Sequence, residues 1–547
     1  MSTSQSTALA ARGKGKRKGP GLRQRMADLH TWVGLLLGWV LYAMFLTGTV
    51  SYFKDELSQW MRPELARLSA VPDLALAAQR AADAFGDTVV QWTLRPANER
   101  NNVGHAFWRS KDGGRRFDDG YLDPETGRVV DARATRGGDF FYRFHFQFHH
   151  IPVMWGRWLA GLAAMFMLVA IISGIITHKK IFTDFFTFRW GKGQRSWLDA
   201  HSALSVLGLP FHLMITYTGL VTLMVMYMPW GMLVGVNTAQ ERQALDAQLS
   251  SFVQAGKPSG EAAPLASVHD MVRQAQARWG RDNIGMVSVL HPGDAAARVS
   301  VSRSEAGRVS MSPQTFLFEG STGRLLALND RVGAAAETRG VLYALHMGRF
   351  GDTVTRWLYF IVSLAGTAMV GTGLVLWTVT RRQKLGANSR QPFGHWLAQR
   401  LNIASIAGLS IAMTAFLWAN RLLPTDINAR ADAEIQVFFT AWGLALAHAL
   451  LRSPAQKAWL EQLWLAALGL VGLPVLNIVT TERPLWRSLG EGDWVFAGAE
   501  LLFLALAVLH ATLAVRAGRR KPGGALARPG RTVRRQTESP QQTRAAS

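Results

Sequence analysis

Residues 143–180 read RFHFQFHHIPVMWGRWLAGLAAMFMLVAIISGIITHKK. The apolar run inside this stretch is about 20 residues long, enough for an α-helix to cross a bilayer. Histidines crowd both of its ends: His145, His149 and His150 precede it, and His178 closes it. A membrane helix flanked by imidazoles decides how the rest of the chain is read, because a membrane cytochrome places its haem ligands at such positions.

Composition supports the bilayer. Of 547 residues, 49% are hydrophobic and only 18% charged, 20 are Trp, and the formal net charge is +23. So basic a chain could bind nucleic acid, but Lys and Arg fall in tails and short loops beside apolar runs, as the positive-inside rule describes. Nucleic acid is therefore not an expected partner, whereas membrane lipid is. Cysteine is absent, which excludes disulfides, thiolate-held iron–sulfur clusters and covalent c-type haem. Any redox centre must be held by histidine or by non-covalent contacts.

Outward from the central stretch, residues 1–29 form a basic tail, and a first span covers roughly 31–53. Its apolar run is too long for a signal-peptide core and no small-residue cleavage pattern follows, so it reads as a retained anchor. Residues 54–142 turn polar: DLALAAQRAADAFGD has helical periodicity, and TVVQWTLR, HAFWR and RFDDGYLD alternate as short strands. A second span at about 156–177 leads through a basic loop, 179–200, to a third at about 202–228. A second polar α+β segment covers 229–340, and a fourth span covers about 356–379. After the loop 381–400, four further apolar runs fall near 401–419, 435–451, 459–479 and 494–515, before a basic tail at 516–547.

Charge orients the chain. Segments 1–29, 179–200, 381–400, 452–458 and 516–547 carry seven, five, five, two and nine basic residues, whereas loops 420–434 and 480–493 carry two each, offset by acids. About eight transmembrane helices with both termini cytoplasmic satisfy this pattern, and both polar modules then face the periplasm or its equivalent outside the cell. The expected fold is a mainly α, polytopic membrane protein.

The first half is duplicated. His30 lies 18 residues before Gly48 and His201 lies 18 before Gly219; Arg157-Trp-Leu lies 17 before Gly174 and Arg356-Trp-Leu 17 before Gly373. Thr126-Gly-Arg128 matches Thr322-Gly-Arg324 within the polar modules. The unit, span–module–span, occurs as 30–178 and again as 201–380. The four glycines read as sites of close helix approach, or as space for a flat macrocycle.

On DLHTWVGLLLGW (28–39), GRWLAG (156–161) with its upstream histidines, DAHSALSVLGLPFH (199–212), LHMGRFG (345–351) and the two D/E-x-x-T-G-R turns, the chain resembles the PepSY-associated transmembrane-helix family, which includes iron-regulated inner-membrane proteins and siderophore reductases. The resemblance covers about residues 26–384. It implies two PepSY-like α+β modules, b-type haem in the helix bundle and reduction of ferric siderophores on the periplasmic side. The family pattern leads one to expect a histidine ten residues before Arg157, where this chain has Gln147, with His145 and His149 on either side.

A lone histidine at a membrane boundary is more often an interfacial residue than a ligand. Pairs at matched depth on different helices are another matter. His30 and His201 hold equivalent repeat positions and are expected to face each other across one haem iron; His346 with either His149 or His145 makes the corresponding outer pair. His212, 11 residues after His201, suits either a second stacked haem or a hydrogen-bonded midplane histidine. His178, beside Lys179 and Lys180, reads as a solvated or propionate-contacting residue. His448 and His510 either form a third pair or simply pack.

The expected cofactor is haem b, in two copies, with a quinol or a partner reductase as electron donor and a ferric siderophore as acceptor, since no nucleotide-binding fingerprint occurs. A non-enzymatic alternative has the PepSY-like modules binding or regulating a periplasmic partner or peptidase while the helices merely anchor them. A transporter would want intramembrane acids or broken helices, and the first four spans contain no internal acid.

Overall fold

The computed structural model describes residues 21–519 apart from 68–72, 99, 102, 113–116, 179–188, 190, 250–255 and 386–388. Most of the first basic tail, most of the last and half of the loop 179–200 lie outside the described residues.

Span 1 is two helices, α1 (Leu22–Leu36) and α2 (Gly38–Ser51), bent by 66° at Leu37. After α3 (Lys54–Trp60) and α4 (Leu74–Phe85) come β1 (Val89–Arg95), β2 (Gly104–Ser110) and β3 (Asp118–Leu122). Then α5 (Asp139–Gln147) leads into α6 (Val153–Thr177). Span 3 is again two helices, α7 (Gln194–Leu207) and α8 (Leu209–Thr222), bent by 69°. The second module holds α9 (Val268–Trp279) and β4 (Ile284–Leu290), β5 (Arg298–Arg303), β6 (Thr315–Glu319) and β7 (Leu325–Asn329). It is followed by α10 (Ala334–Met347) and α11 (Thr353–Lys384), and the chain closes with α12 (Phe393–Leu422), α13 (Arg430–Leu451), α14 (Ala455–Thr480) and α15 (Trp494–Gly518).

Six of these helices are long and apolar enough to cross a bilayer, and the number rises to eight when each bent pair is counted as one span. Straight spans 1 and 3 are the sequence expectation, and the structure breaks both. In span 3 the cause is Pro210, which has no N–H to give and whose ring opposes the carbonyl four residues earlier. In span 1 the break precedes Gly38, where a Cβ would stand 2.6 Å from Leu374. The closing helices extend beyond their apolar runs because buried polar residues occupy their ends, among them Arg421, Arg430 and Glu434.

The modules are built alike. In α4, Ala75, Ala78, Ala82 and Phe85 form one apolar face; in α9, Val268, Met271, Val272, Ala275 and Trp279 do the same. Asp73 and Ser267 cap the two helices, accepting from the N–H groups of Ala75 and Asp270. The modules do not stand apart. Strand β1 pairs antiparallel with β4, Trp92 opposite Val289 and Thr93 opposite Ser288, so all seven strands form one sheet ordered β3-β2-β1-β4-β5-β6-β7. Side chains alternate across it. Trp92, Leu94, Val287, Val289, Val299 and Val301 meet α4 and α9 in one core, while the other face carries hydroxyls, with Thr93 and Ser288 bonded at 2.6 Å.

The last four helices grip the root of the first module. Arg421 donates to the Trp60 carbonyl at 2.6 Å, Arg430 to that of Ala134 at 2.9 Å and Arg483 to that of Ala66 at 2.9 Å; Thr135 bonds Glu434. Phe140, Phe141 and Phe144 of α5 are buried in one cluster with Phe416, Phe438 and Phe503. Helix α5 therefore reaches the bundle already fixed in position by α12 and α13.

Candidate haem-binding site

Four histidines meet in two pairs. The His30 and His201 rings lie 6.1 Å apart, centroid to centroid, at 64°, and the His145 and His346 rings lie 6.2 Å apart at 29°. Two imidazoles sharing one metal at about 2 Å per bond, with each ring centre roughly 1 Å behind its nitrogen, have centroids roughly 6 Å apart.

Each ring is fixed in the same way. The Nδ1 of His30 bonds the Ala170 carbonyl at 2.8 Å, that of His145 the Met44 carbonyl at 2.7 Å, that of His201 the Met369 carbonyl at 2.9 Å and that of His346 the Ile215 carbonyl at 3.0 Å. A carbonyl can only accept, so each Nδ1 carries the proton and each Nε2 keeps its lone pair, the tautomer a metal ligand needs. Among the described residues none of the four Nε2 atoms has a hydrogen-bond partner.

The repeat glycines explain how the rings reach those carbonyls. Each accepting residue stands four before Gly174, Gly48, Gly373 or Gly219, so one helical turn beneath it. A Cβ would stand 3.2 Å from His30 at Gly174, 2.7 Å from His145 at Gly48, 3.1 Å from His201 at Gly373 and 2.9 Å from His346 at Gly219. One glycine thus seats one histidine, four times over, in the pattern of the duplication.

A facing pair of imidazoles does not by itself enclose a metal ion, and no cluster of three or more His, Asp or Glu able to hold one occurs among the described residues. Two axial ligands suit a macrocycle that brings its own four nitrogens. The outer pair opens on a cavity of ≈ 380 Å³, lined also by Gly48, Gly219, Ala160 and Ala164. The donor set and this space fit haem. His30 of the inner pair is seated on Ala170 of α6, six to ten residues beyond the cavity-lining Ala164 and Ala160, so it lies about 9–15 Å further along that helix.

A charged rim surrounds the outer cavity. Lys54 bridges Asp55 at 2.9 Å and Asp139 at 2.7 Å, Arg100 meets Asp55 and Glu56 at 3.1 Å, Arg349 meets Glu305 at 3.1 Å, and Arg356 pairs with Glu56. Burial alone would raise the Asp55 carboxyl, but Lys54 and Arg100 hold it down to about 2.

Of the two candidates for the outer partner of His346, the structure brings up His145. Helix α5 ends at Gln147, Phe148 turns the chain with φ of 57°, and His149 stacks on Phe439 of α13 at 5.6 Å. His149, a sequence-expected ligand, therefore points away from His346. His178 lies beside the inner pair, 3.5 Å from the Ser202 hydroxyl. His212 is buried between the two levels, its Nε2 3.4 Å from the Val362 carbonyl, and meets no second imidazole among the described residues. His448 bonds Glu461 at 2.9 Å and His510 bonds Leu506 of its own helix at 2.8 Å, so they do not form a third pair.

The chain matches the family model described as the PepSY-associated TM region over residues 27–379, which takes in both histidine pairs, all four glycines and the seven-stranded sheet. It belongs to the PepSY-associated TM region family. An uncharacterized protein of Pseudomonas aeruginosa is 27% identical to it over 393 residues, 66% of this chain and 91% of the relative. Helices α12–α15 thus lie outside the matched PepSY-associated region, and they are tied to it by contacts with Trp60, Ala66, Ala134 and the α5 phenylalanines and by Asn402, which bonds Trp39 and the Leu374 carbonyl.

Proposed function

We propose that the chain is an inner-membrane b-type haem protein that passes electrons outward, from a quinol or a partner reductase, to a ferric siderophore in the periplasm. One observation carries the reading: four imidazoles, each with Nδ1 committed to a backbone carbonyl and Nε2 bare, stand in two facing pairs stacked across one bundle. Haem bound at both levels would supply one-electron chemistry at each face of the membrane.

The chain's own residues do the remaining work. His30 and His201 would hold the inner group and His145 and His346 the outer one, each ring locked against rotation by its carbonyl and its glycine. The two modules share one continuous sheet, and the loop residues Arg100 and Met311 beside its strands line the outer cavity, so a ferric chelate would approach from beside the joined modules rather than between them, across the rim of Lys54, Arg100 and Arg349. The basic charge of loops 179–200 and 381–400 supports a cytoplasmic side for the inner pair.

Pyridine-haemochrome analysis of the purified full-length protein tests the reading. Two haems b per chain are expected, with reduction of an added ferric siderophore by the pre-reduced protein. A protein without a b-type spectrum would overturn the reading and leave the anchored, partner-binding alternative.

A further inference from the structure

The two halves of the bundle differ at one pair of equivalent positions. Glu56 lies eight residues after Gly48, and Tyr227 eight after Gly219. Arg356 and Arg157 are equivalent in the same way, each 17 residues before its glycine. In one half Glu56 takes Arg356 in an ion pair, with side chains 16% and 11% exposed. In the other half the acid is replaced by Tyr227, whose hydroxyl donates to the Arg157 backbone carbonyl at 2.9 Å. Arg157 thereby has no carboxylate partner among the described residues. Its Nη2 meets the neutral Gln147 Oε1 at 3.3 Å, its guanidinium lies over the Phe146 ring at 5.5 Å, and its Nε is buried without a hydrogen-bond partner.

Arg157 and Tyr227 both line the outer cavity, with His145 and His346. A guanidinium half removed from water and lacking its counter-charge is a receptor for a planar anion, which it grips with two parallel N–H donors. We propose that Arg157 binds a carboxylate inside this cavity, the duplication having exchanged an internal acid for one carried by a ligand. The carboxylate belongs either to a propionate of the haem or to the ferric chelate, and the proposal rests on the haem reading above.

The test uses the purified full-length protein, with haem per chain counted first; wild-type protein without haem would sink the haem reading itself. Rates of haem transfer to apomyoglobin and binding of ferric citrate are then compared for Arg157→Gln, Arg157→Lys and Tyr227→Glu, the last restoring an internal acid. If a propionate is the partner, Arg157→Gln and Tyr227→Glu release one of the haems about tenfold faster, as loss of one charge-assisted bond would give. Arg157→Lys, which keeps the charge but loses the two-donor fork, then falls between wild type and Arg157→Gln, and loading wild-type protein with haem dimethyl ester reproduces the fast release. If the chelate supplies the carboxylate, haem release is unchanged and ferric citrate binds about tenfold more weakly. Wild-type haem release and citrate binding in both Arg157→Gln and Tyr227→Glu would overturn the proposal. So would equal loss of both haems from Arg157→Gln and Arg157→Lys, since that marks a structural role indifferent to charge.

Discussion

A Cβ on Gly48 would stand 2.7 Å from Nδ1 of His145, closer than any side chain tolerates, so the glycine is what lets His145 lie on the Met44 carbonyl. The same relation holds at Gly219, at 2.9 Å from His346, and a milder one at Gly174 and Gly373, 3.2 and 3.1 Å from His30 and His201, so the four glycines belong to the histidine sites rather than to general packing.

Gly48→Ala and Gly219→Ala should therefore each remove the outer haem and spare the inner one. Alanine favours a helix over glycine by about 1 kcal/mol, so neither change should weaken the helix that carries it. Haem per chain is expected to fall by about half, with thermal unfolding of the remaining fold little changed. Wild-type haem content in both variants would refute the seating role.

His145→Ala should lose the same haem as His346→Ala, and His149→Ala should lose none. His149 stacks on Phe439, 5.6 Å away, where its imidazole can contribute only packing. Visible spectra of the three purified variants decide this, and an intact outer signal in His145→Ala would return His149 to consideration.

Acid should loosen the rim. Asp55 is held near 2, below its ordinary 3.8, by Lys54 and Arg100. A depressed carboxyl contributes stability that is fully present above the unfolded value and is lost as pH falls through the folded one. Thermal stability in detergent should thus be insensitive to this group above about pH 5 and decline between about pH 4 and 2. Asp55→Asn should start lower at neutral pH and show a shallower decline; an identical acid limb in the two proteins would remove Asp55 from the account.

The duplication, the spans and the His30–His201 pair were legible in sequence because each is a matter of spacing along one helix: 18 residues and 17 residues recur with the same residue types. Of the outer pair, His346 was legible and His145 only as one of two candidates, because His145 stands twelve residues before Arg157 whereas His346 stands ten before Arg356. Counting back ten lands on Gln147. The two extra residues lie in the turn after α5, where Phe148 and His150 adopt positive φ, and such a turn leaves no periodic trace. The joining of β1 to β4 was equally silent, since strands almost two hundred residues apart pair without a local signal. The breaks in spans 1 and 3 had a cue only in Pro210.

Helices α12–α15 should matter for the outer site although none of their residues lines its cavity. Helix α5 carries His145 on one face and Phe140, Phe141 and Phe144 on another, and those three rings are packed against Phe416 and Phe438. Phe141 is 1% exposed, and cutting so buried a ring to alanine costs roughly 3–5 kcal/mol in a protein core. On its His145 side α5 meets only single contacts with the Met44 carbonyl, the Gly48 seat, the His346 ring and Arg157 among the described residues, so the loss should appear as movement of α5 rather than of the whole bundle. Phe141→Ala and Phe438→Ala are expected to weaken retention of the outer haem while the inner haem, seated on α6 and α11, stays at wild-type occupancy. Haem counts together with a reductive titration of each variant separate the two sites. If both variants keep the outer haem as firmly as the wild type, α12 and α13 do not position His145.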